Sequence, residues 1–133
     1  MNKKKSLVQI ESFHPNYVKD FYELNKKWIE ESWKLETSDV HDLSNPKKYI
    51  IDNGGEVFFA IKNNQVIATA AMLYPKNKVF ELAKMTVAKE FRGLGIANKL
   101  MDRCIEFAKE NDADKIFLIT NSSLVIARNL YDK

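Results

Sequence analysis

The 133-residue chain holds one cysteine, Cys104. An internal disulfide is excluded, and the count fits a reducing compartment, so the cytoplasm is the expected location. No apolar run approaches the roughly 20 residues that a spanning helix needs, and no membrane contact is expected. The basic start Met1-Asn2-Lys3-Lys4-Lys5 has no apolar stretch behind it, so a secretory leader is not expected. His14 and His41 have no ligand spacing with Cys104 or with any carboxylate cluster, and no metal is implied. The net charge of +3 is mild. It suits an anionic ligand without arguing for nucleic acid. Lys3-Lys4-Lys5 lacks the reading helix or aromatic stacking pattern that nucleic-acid binding would add. There is no internal repeat, low-complexity segment or linker. What is present is 45% hydrophobic and 29% charged, the profile of one domain over residues 1–133 with a real core.

The chain is organised around the run Val79 to Val87 and the segment Ala88-Lys89-Glu90-Phe91-Arg92-Gly93-Leu94-Gly95-Ile96-Ala97. It reads as a strand, a glycine turn and the start of a helix that continues to about Lys109. Gly93 and Gly95 let the backbone take positive φ and lie close to a ligand. The first amide groups of the helix have no partner inside it. Its dipole favours an anion there by roughly 0.3–1 kcal/mol. Arg92 adds a charge and a fork of donors. Together these features suit a diphosphate. A dinucleotide fingerprint would need a third glycine where Asn98 stands, and a P-loop would need Gly-Lys-Ser/Thr, which does not occur. An ordinary strand-to-helix turn with two glycines is the plainer alternative.

Upstream, Ser6 to Phe13 reads as a first strand. His14-Pro15 opens a helix whose Val18, Phe21, Tyr22, Trp28 and Ile29 form one stripe. Thr37 to Ser44 is polar and reads as a loop or short helical turn. Asn45-Pro46 reads as a helix cap and first position, and Gly54-Gly55 as the end of that short helix. Val57 to Lys62, Gln65 to Tyr74 and Lys78 to Val87 read as an antiparallel meander, with Asn63-Asn64 as its first turn. After the glycine turn, Ile96, Leu100, Met101, Cys104, Ile105 and Ala108 make a helical stripe. Cys104 within it reads as a small core residue. Lys115 to Thr120 reads as a strand parallel to the one before the helix, joined by a right-handed crossover. Asn121-Ser122-Ser123 reads as the cap of a last helix, Leu124 to Tyr131.

The pattern Gln/Arg-x-x-Gly-x-Gly/Ala is met by Arg92, Gly95 and Ala97, and with it the chain resembles the GNAT superfamily of acyl-CoA-dependent N-acyltransferases. The resemblance runs from about residue 6 to 133 and is specific from Phe80 to Tyr131. It implies an α/β (α+β) fold with a mixed, mostly antiparallel central sheet flanked by helices. It also implies acetyl-CoA as co-substrate and a small-molecule or peptide amine as acceptor, attacked directly in a ternary complex. Arg92, Gly93, Leu94, Gly95, Ile96 and Ala97 would hold the pyrophosphate. Met85, Thr86 and Val87 would pair with the pantetheine like an added strand where two parallel strands splay. The Val87 N–H would meet the thioester oxygen. The tail resembles the family's Ala-x-x-x-Tyr segment, although Leu124 stands where the family often has asparagine, a role Asn121 could take.

Glu81 is the candidate base for the ammonium proton. Period-two alternation puts it on one strand face with Ala83, Met85 and Val87. An ordinary solvent-facing glutamate is the alternative. Tyr131 is the candidate acid for the leaving thiolate. Its alternative is a packed ring with a wet hydroxyl. The family normally continues into a Gly-Phe turn and one or two more strands, so the domain is expected to be C-terminally short. That leaves the Lys115 to Thr120 edge uncovered, and a homodimer is expected to cover it. A different reading is a non-catalytic acyl-CoA-binding or regulatory module.

Overall fold

The computed structural model describes residues 7–32, 43–120 and 123–129. Among these residues, six strands form one sheet in the order β1-β2-β3-β4-β5-β6. They are β1 Gln9–Ser12, β2 Glu56–Lys62, β3 Gln65–Lys76, β4 Val79–Val87, β5 Lys115–Thr120 and β6 Ser123–Asn129. Only β4 and β5 pair in parallel; the other neighbours are antiparallel. The mixed, mostly antiparallel sheet flanked by helices is therefore as the sequence implied.

Helix α1, Val18–Ser32, follows a 3-10 turn at Pro15–Tyr17. His14 caps that turn: its Nδ1 accepts from the Asn16 N–H at 3.0 Å. The fully buried Phe21 anchors α1 against Phe59, Val57 and Ile50 on one sheet face. Helix α2, Ile96–Glu110, covers the other face with Ile96, Leu100, Cys104 and Ala108. These meet Phe58, Phe80 and Leu82 from the strands. Each helix buries one stripe and turns most of its polar residues away from it; Asn25 of α1 is nonetheless buried, its Nδ2 donating to the Phe21 carbonyl at 2.9 Å.

Asn45-Pro46 does start a helical turn. The Asn45 Oδ1 accepts from the Lys48 N–H at 3.3 Å. The turn, Lys47–Ile51, is wider than an α-helix: the Asp52 N–H reaches back to the Lys47 carbonyl at 2.8 Å. Gly55 then passes tightly against β3, where a Cβ would sit 2.2 Å from the Met72 carbonyl oxygen.

The C-terminal region departs from the sequence reading. Over the described part of the expected helix, Leu124 to Asn129, the backbone is extended instead: Ser123–Asn129 is strand β6. Its register runs from Lys115↔Asn129 to Thr120↔Ser123 against β5. Leu124, Val125 and Ile126 make an apolar run, two of its three residues β-branched, that suits an extended backbone. The helical spacing of Leu124 and Ala127 was a coincidence within that run. The β5 edge is thereby paired from within the chain, so the expected need for a second chain at β5 does not arise. Tyr131 and Asn121 lie outside the described residues.

Candidate functional site

The site starts at the parting of β4 from β5. They pair at Val79↔Lys115, Phe80↔Ile116, Glu81↔Phe117 and Leu82↔Leu118, and no further. Beyond Leu82, β4 continues to Val87 while β5 keeps only β6 at Ile119 and Thr120. Among the described residues, the edge of β4 from Ala83 to Val87 thus has no strand partner on the β5 side. A backbone edge of this kind can take an extended ligand carrying amides. Met85, Thr86 and Val87 lie on that stretch.

A bulge coincides with the parting. Thr69 pairs with Thr86 and Ala71 with Ala83, so Ala70 alone stands opposite Lys84 and Met85. Lys84 has φ 53. The left-handed region costs a residue with a Cβ roughly 1–2 kcal/mol. Strain held in this way tends to mark functional segments. The extra residue also corrects the expected facing of Glu81. Directly opposed residues share a face, so Glu81, Ala83 and Thr86 follow Leu73, Ala71 and Thr69. Val87 pairs with Ala68 on the opposite face, and Met85 packs with the α2-side core. Glu81 therefore does not share its face with Met85 and Val87, because the bulge resets the alternation.

After β4, the Ala88 N–H donates to the Ile67 carbonyl at 2.8 Å. A short 3-10 turn, Lys89–Phe91, follows. Arg92 folds back on the strand it has just left, its Nε donating to the Val87 carbonyl at 2.8 Å. Gly93 and Gly95 both have φ 81, and a Cβ on either would meet nothing within 4 Å. The glycines are required by backbone conformation, and the space before them is open. Gly95 is the N-cap of α2 and offers no side-chain cap, and the first turn carries no acidic residue. The amides of Ile96 and Ala97 head this helix, with Leu94 63% exposed and Ile96 buried. An uncapped helix start behind two positive-φ glycines fits a diphosphate. The loop thus gathers Arg92 to Ala97 as a unit at the head of α2, next to the open end of β4.

Two cavities flank β4. One, of about 700 Å³, is lined by Thr86, Val87 and Arg92 together with Asp20, Lys27 and Trp28 of α1. Burial pushes the Asp20 carboxyl up from its ordinary value, and Lys19 draws it partly back. The other, of about 520 Å³, is lined by Tyr49, Ile50, Leu73, Tyr74, Glu81 and Lys84. Asn53 also lines it. The contributions of Lys84, Tyr49, Asn53 and Tyr74 were missed from the sequence. A lysine in a strand carries no local sign that it will sit in a bulge. Among the described residues no group of three His, Cys, Asp or Glu could hold a metal ion. Burial pushes the Cys104 thiol up to about 12, with Arg103 pulling slightly the other way, which removes it from nucleophilic chemistry.

Residues 18–133 match the model of the Acetyltransferase (GNAT) family. The chain belongs to that family. Among curated relatives, it is 31% identical over 93 residues to N-acetylaspartate synthetase of Rattus norvegicus, covering 68% of this chain and 31% of that one. It is 28% identical over 99 residues to N-acetyltransferase 8B of Rattus norvegicus, covering 71% and 44%. The chain thus spans less than half the length of these curated relatives. Among solved structures, a GNAT-family acetyltransferase from Staphylococcus aureus superposes with a TM-score of 0.78 at 28% identity, covering 86% of this chain and 73% of that chain. A predicted acetyltransferase with acetyl-CoA from Clostridium acetobutylicum gives 0.72 at 22% identity, over 87% and 82%, and shows the shared fold.

Proposed function

We propose that this protein transfers an acetyl group from acetyl-CoA to a primary amine, by direct attack within a ternary complex. The observation that carries the reading is the parting of β4 from β5 after Leu82, beside a positive-φ glycine turn at the head of α2. Bound there, acetyl-CoA supplies the activated acetyl group. The open edge of Met85, Thr86 and Val87 holds the pantetheine amides, and the Arg92 to Ala97 turn holds the pyrophosphate. Glu81, on the bulged strand and in the smaller cavity, accepts the proton of the incoming ammonium, directly or through water. Tyr131 donates a proton to the leaving sulfur, a role resting on the sequence pattern. Asn121 is assigned to the co-substrate on the same ground. The names of the curated relatives support an N-acetyl product.

The reading extends to a cytoplasmic protein that uses neither nucleic acid nor a membrane as partner and needs no metal. A homodimer is part of the proposal; the side of β6 left unpaired among the described residues, as the last strand in the sheet order, supports edge pairing as its route. The test is a thiol-release assay with acetyl-CoA against a panel of amines. Glu81→Gln should lower turnover with acetyl-CoA affinity retained, and Tyr131→Phe should do the same. Acetyl-CoA binding with no thiol released for any amine would favour a binding module instead.

A further inference from the structure

Residues three apart on a regular strand face opposite sides of the sheet. Glu81 and Lys84 are three apart, yet both line the same cavity of about 520 Å³. The bulge opposite Ala70, with Lys84 in the left-handed region, brings this about. One strand therefore presents an anion and a cation to one cavity. The rest of the wall includes aromatic and apolar groups, Tyr49, Leu73 and Tyr74. These walls are held in place. The Tyr74 hydroxyl accepts from the Lys78 N–H at 3.1 Å, and its ring lies 4.7 Å from that of Phe80. Asn53 Nδ2 donates to the Tyr49 carbonyl at 3.0 Å. Walls set before binding lose little freedom when a ligand arrives.

A lysine in an acceptor cavity repels a purely cationic amine and attracts one that also carries a carboxylate. We propose that this cavity takes a free α-amino acid with an apolar or aromatic side chain, and that Lys84 sets this specificity. The ammonium group goes to Glu81, the carboxylate to Lys84, and the side chain to the Tyr49, Leu73 and Tyr74 wall. The inference rests on the acetyl-transfer reading and names its acceptor. In the step, the amine nitrogen forms a bond to the acetyl carbonyl carbon as the carbon–sulfur bond breaks. One ammonium proton goes to Glu81 before attack; the second leaves the nitrogen as the tetrahedral adduct collapses, and the sulfur departs with the electron pair of the broken bond and takes up that proton, giving free coenzyme A. The products are an N-acetyl amino acid and the thiol.

The test compares L-phenylalanine with phenethylamine, which lacks only the carboxylate. Two readouts are used: KM in the thiol-release assay, and calorimetric binding to the CoA-saturated protein. Phenylalanine should be favoured by at least about tenfold in both. Lys84→Met should collapse that ratio while the KM for acetyl-CoA holds, and Lys84→Arg should retain it. Equal KM values for the two amines in the parent protein would overturn the inference and leave acetyl transfer standing. So would a ratio that survives Lys84→Met. Acetyl-CoA binding without thiol release for any amine tested would remove the acetyl-transfer reading. In that case phenylalanine binding lost in Lys84→Met would still support the cavity assignment, and no phenylalanine binding to the parent would end it.

Discussion

Gly95 shows how much one residue carries. Its φ of 81 is a conformation that strains any residue with a Cβ, yet no neighbouring atom would be struck by one. Gly95→Val should therefore distort the turn and crowd the ligand's side of it rather than the core. Acetyl-CoA at a hundredfold excess over Kd should stabilise the parent by roughly 2.7 kcal/mol. That thermal shift should vanish in the variant while the unliganded protein still melts cooperatively. A variant that keeps the full shift would remove the pyrophosphate assignment. Cys104 makes the opposite case, a reactive group silenced by packing. It is fully buried, and burial raises its thiol to about 12 from an ordinary value of 9.0. The folded state thus disfavours the thiolate. Its contribution to stability is whole below pH 9.0 and is lost as pH rises towards about 12. At pH 8, iodoacetamide should label the native protein far more slowly than the urea-unfolded chain. Equal rates would mean that the α2 stripe is not packed as described.

At the scale of elements, the structure turns on two close approaches. Gly55 brings the end of the Lys47–Ile51 turn onto β3, with the Met72 carbonyl where a Cβ would be. A backbone oxygen cannot swing aside as a long side chain can. Gly55→Ala should cost at least about 1–3 kcal/mol, read as a lowered urea midpoint at unchanged slope. Because this turn supplies Tyr49 and Asn53 to the smaller cavity, acceptor KM should rise with it. The second approach is the bulge in β4. The strand itself was legible from Val79 to Val87, since its apolar residues alternate at the start. The bulge was not, since it depends on pairing Thr69 with Thr86 and Ala71 with Ala83 across two strands. That pairing decides which way Glu81 faces. The strand at Ser123–Asn129 was missed for a related reason. Its residues fit helical spacing locally, and only the edge of β5 selects the extended form.

At the scale of the molecule, the sheet formed by the described residues ends in β1 on one side and β6 on the other. A sheet edge is a template for pairing. The homodimer proposed through β6 should sediment as a dimer at about 100 μM and dissociate on dilution, as edge contacts of modest area do. A proline placed at Val125 should shift that equilibrium towards monomer, by removing a backbone donor from the edge strand. A monomer at every concentration would place the β6 edge in solvent.

The sequence by itself determined the meander, the glycine turn, the stripe of α2 and the parallel return into β5. Each of these rests on local signals: alternation, helical period, and residues whose backbone freedom is needed where they stand. Arg92, Gly93 and Gly95 could be assigned together because they are neighbours on the chain. Only the tertiary structure decided that Glu81 and Lys84 line one cavity with Tyr49 and Tyr74, and that Ser123–Asn129 extends the sheet. Those outcomes depend on register between strands, and register is set by burial and pairing across the whole sheet.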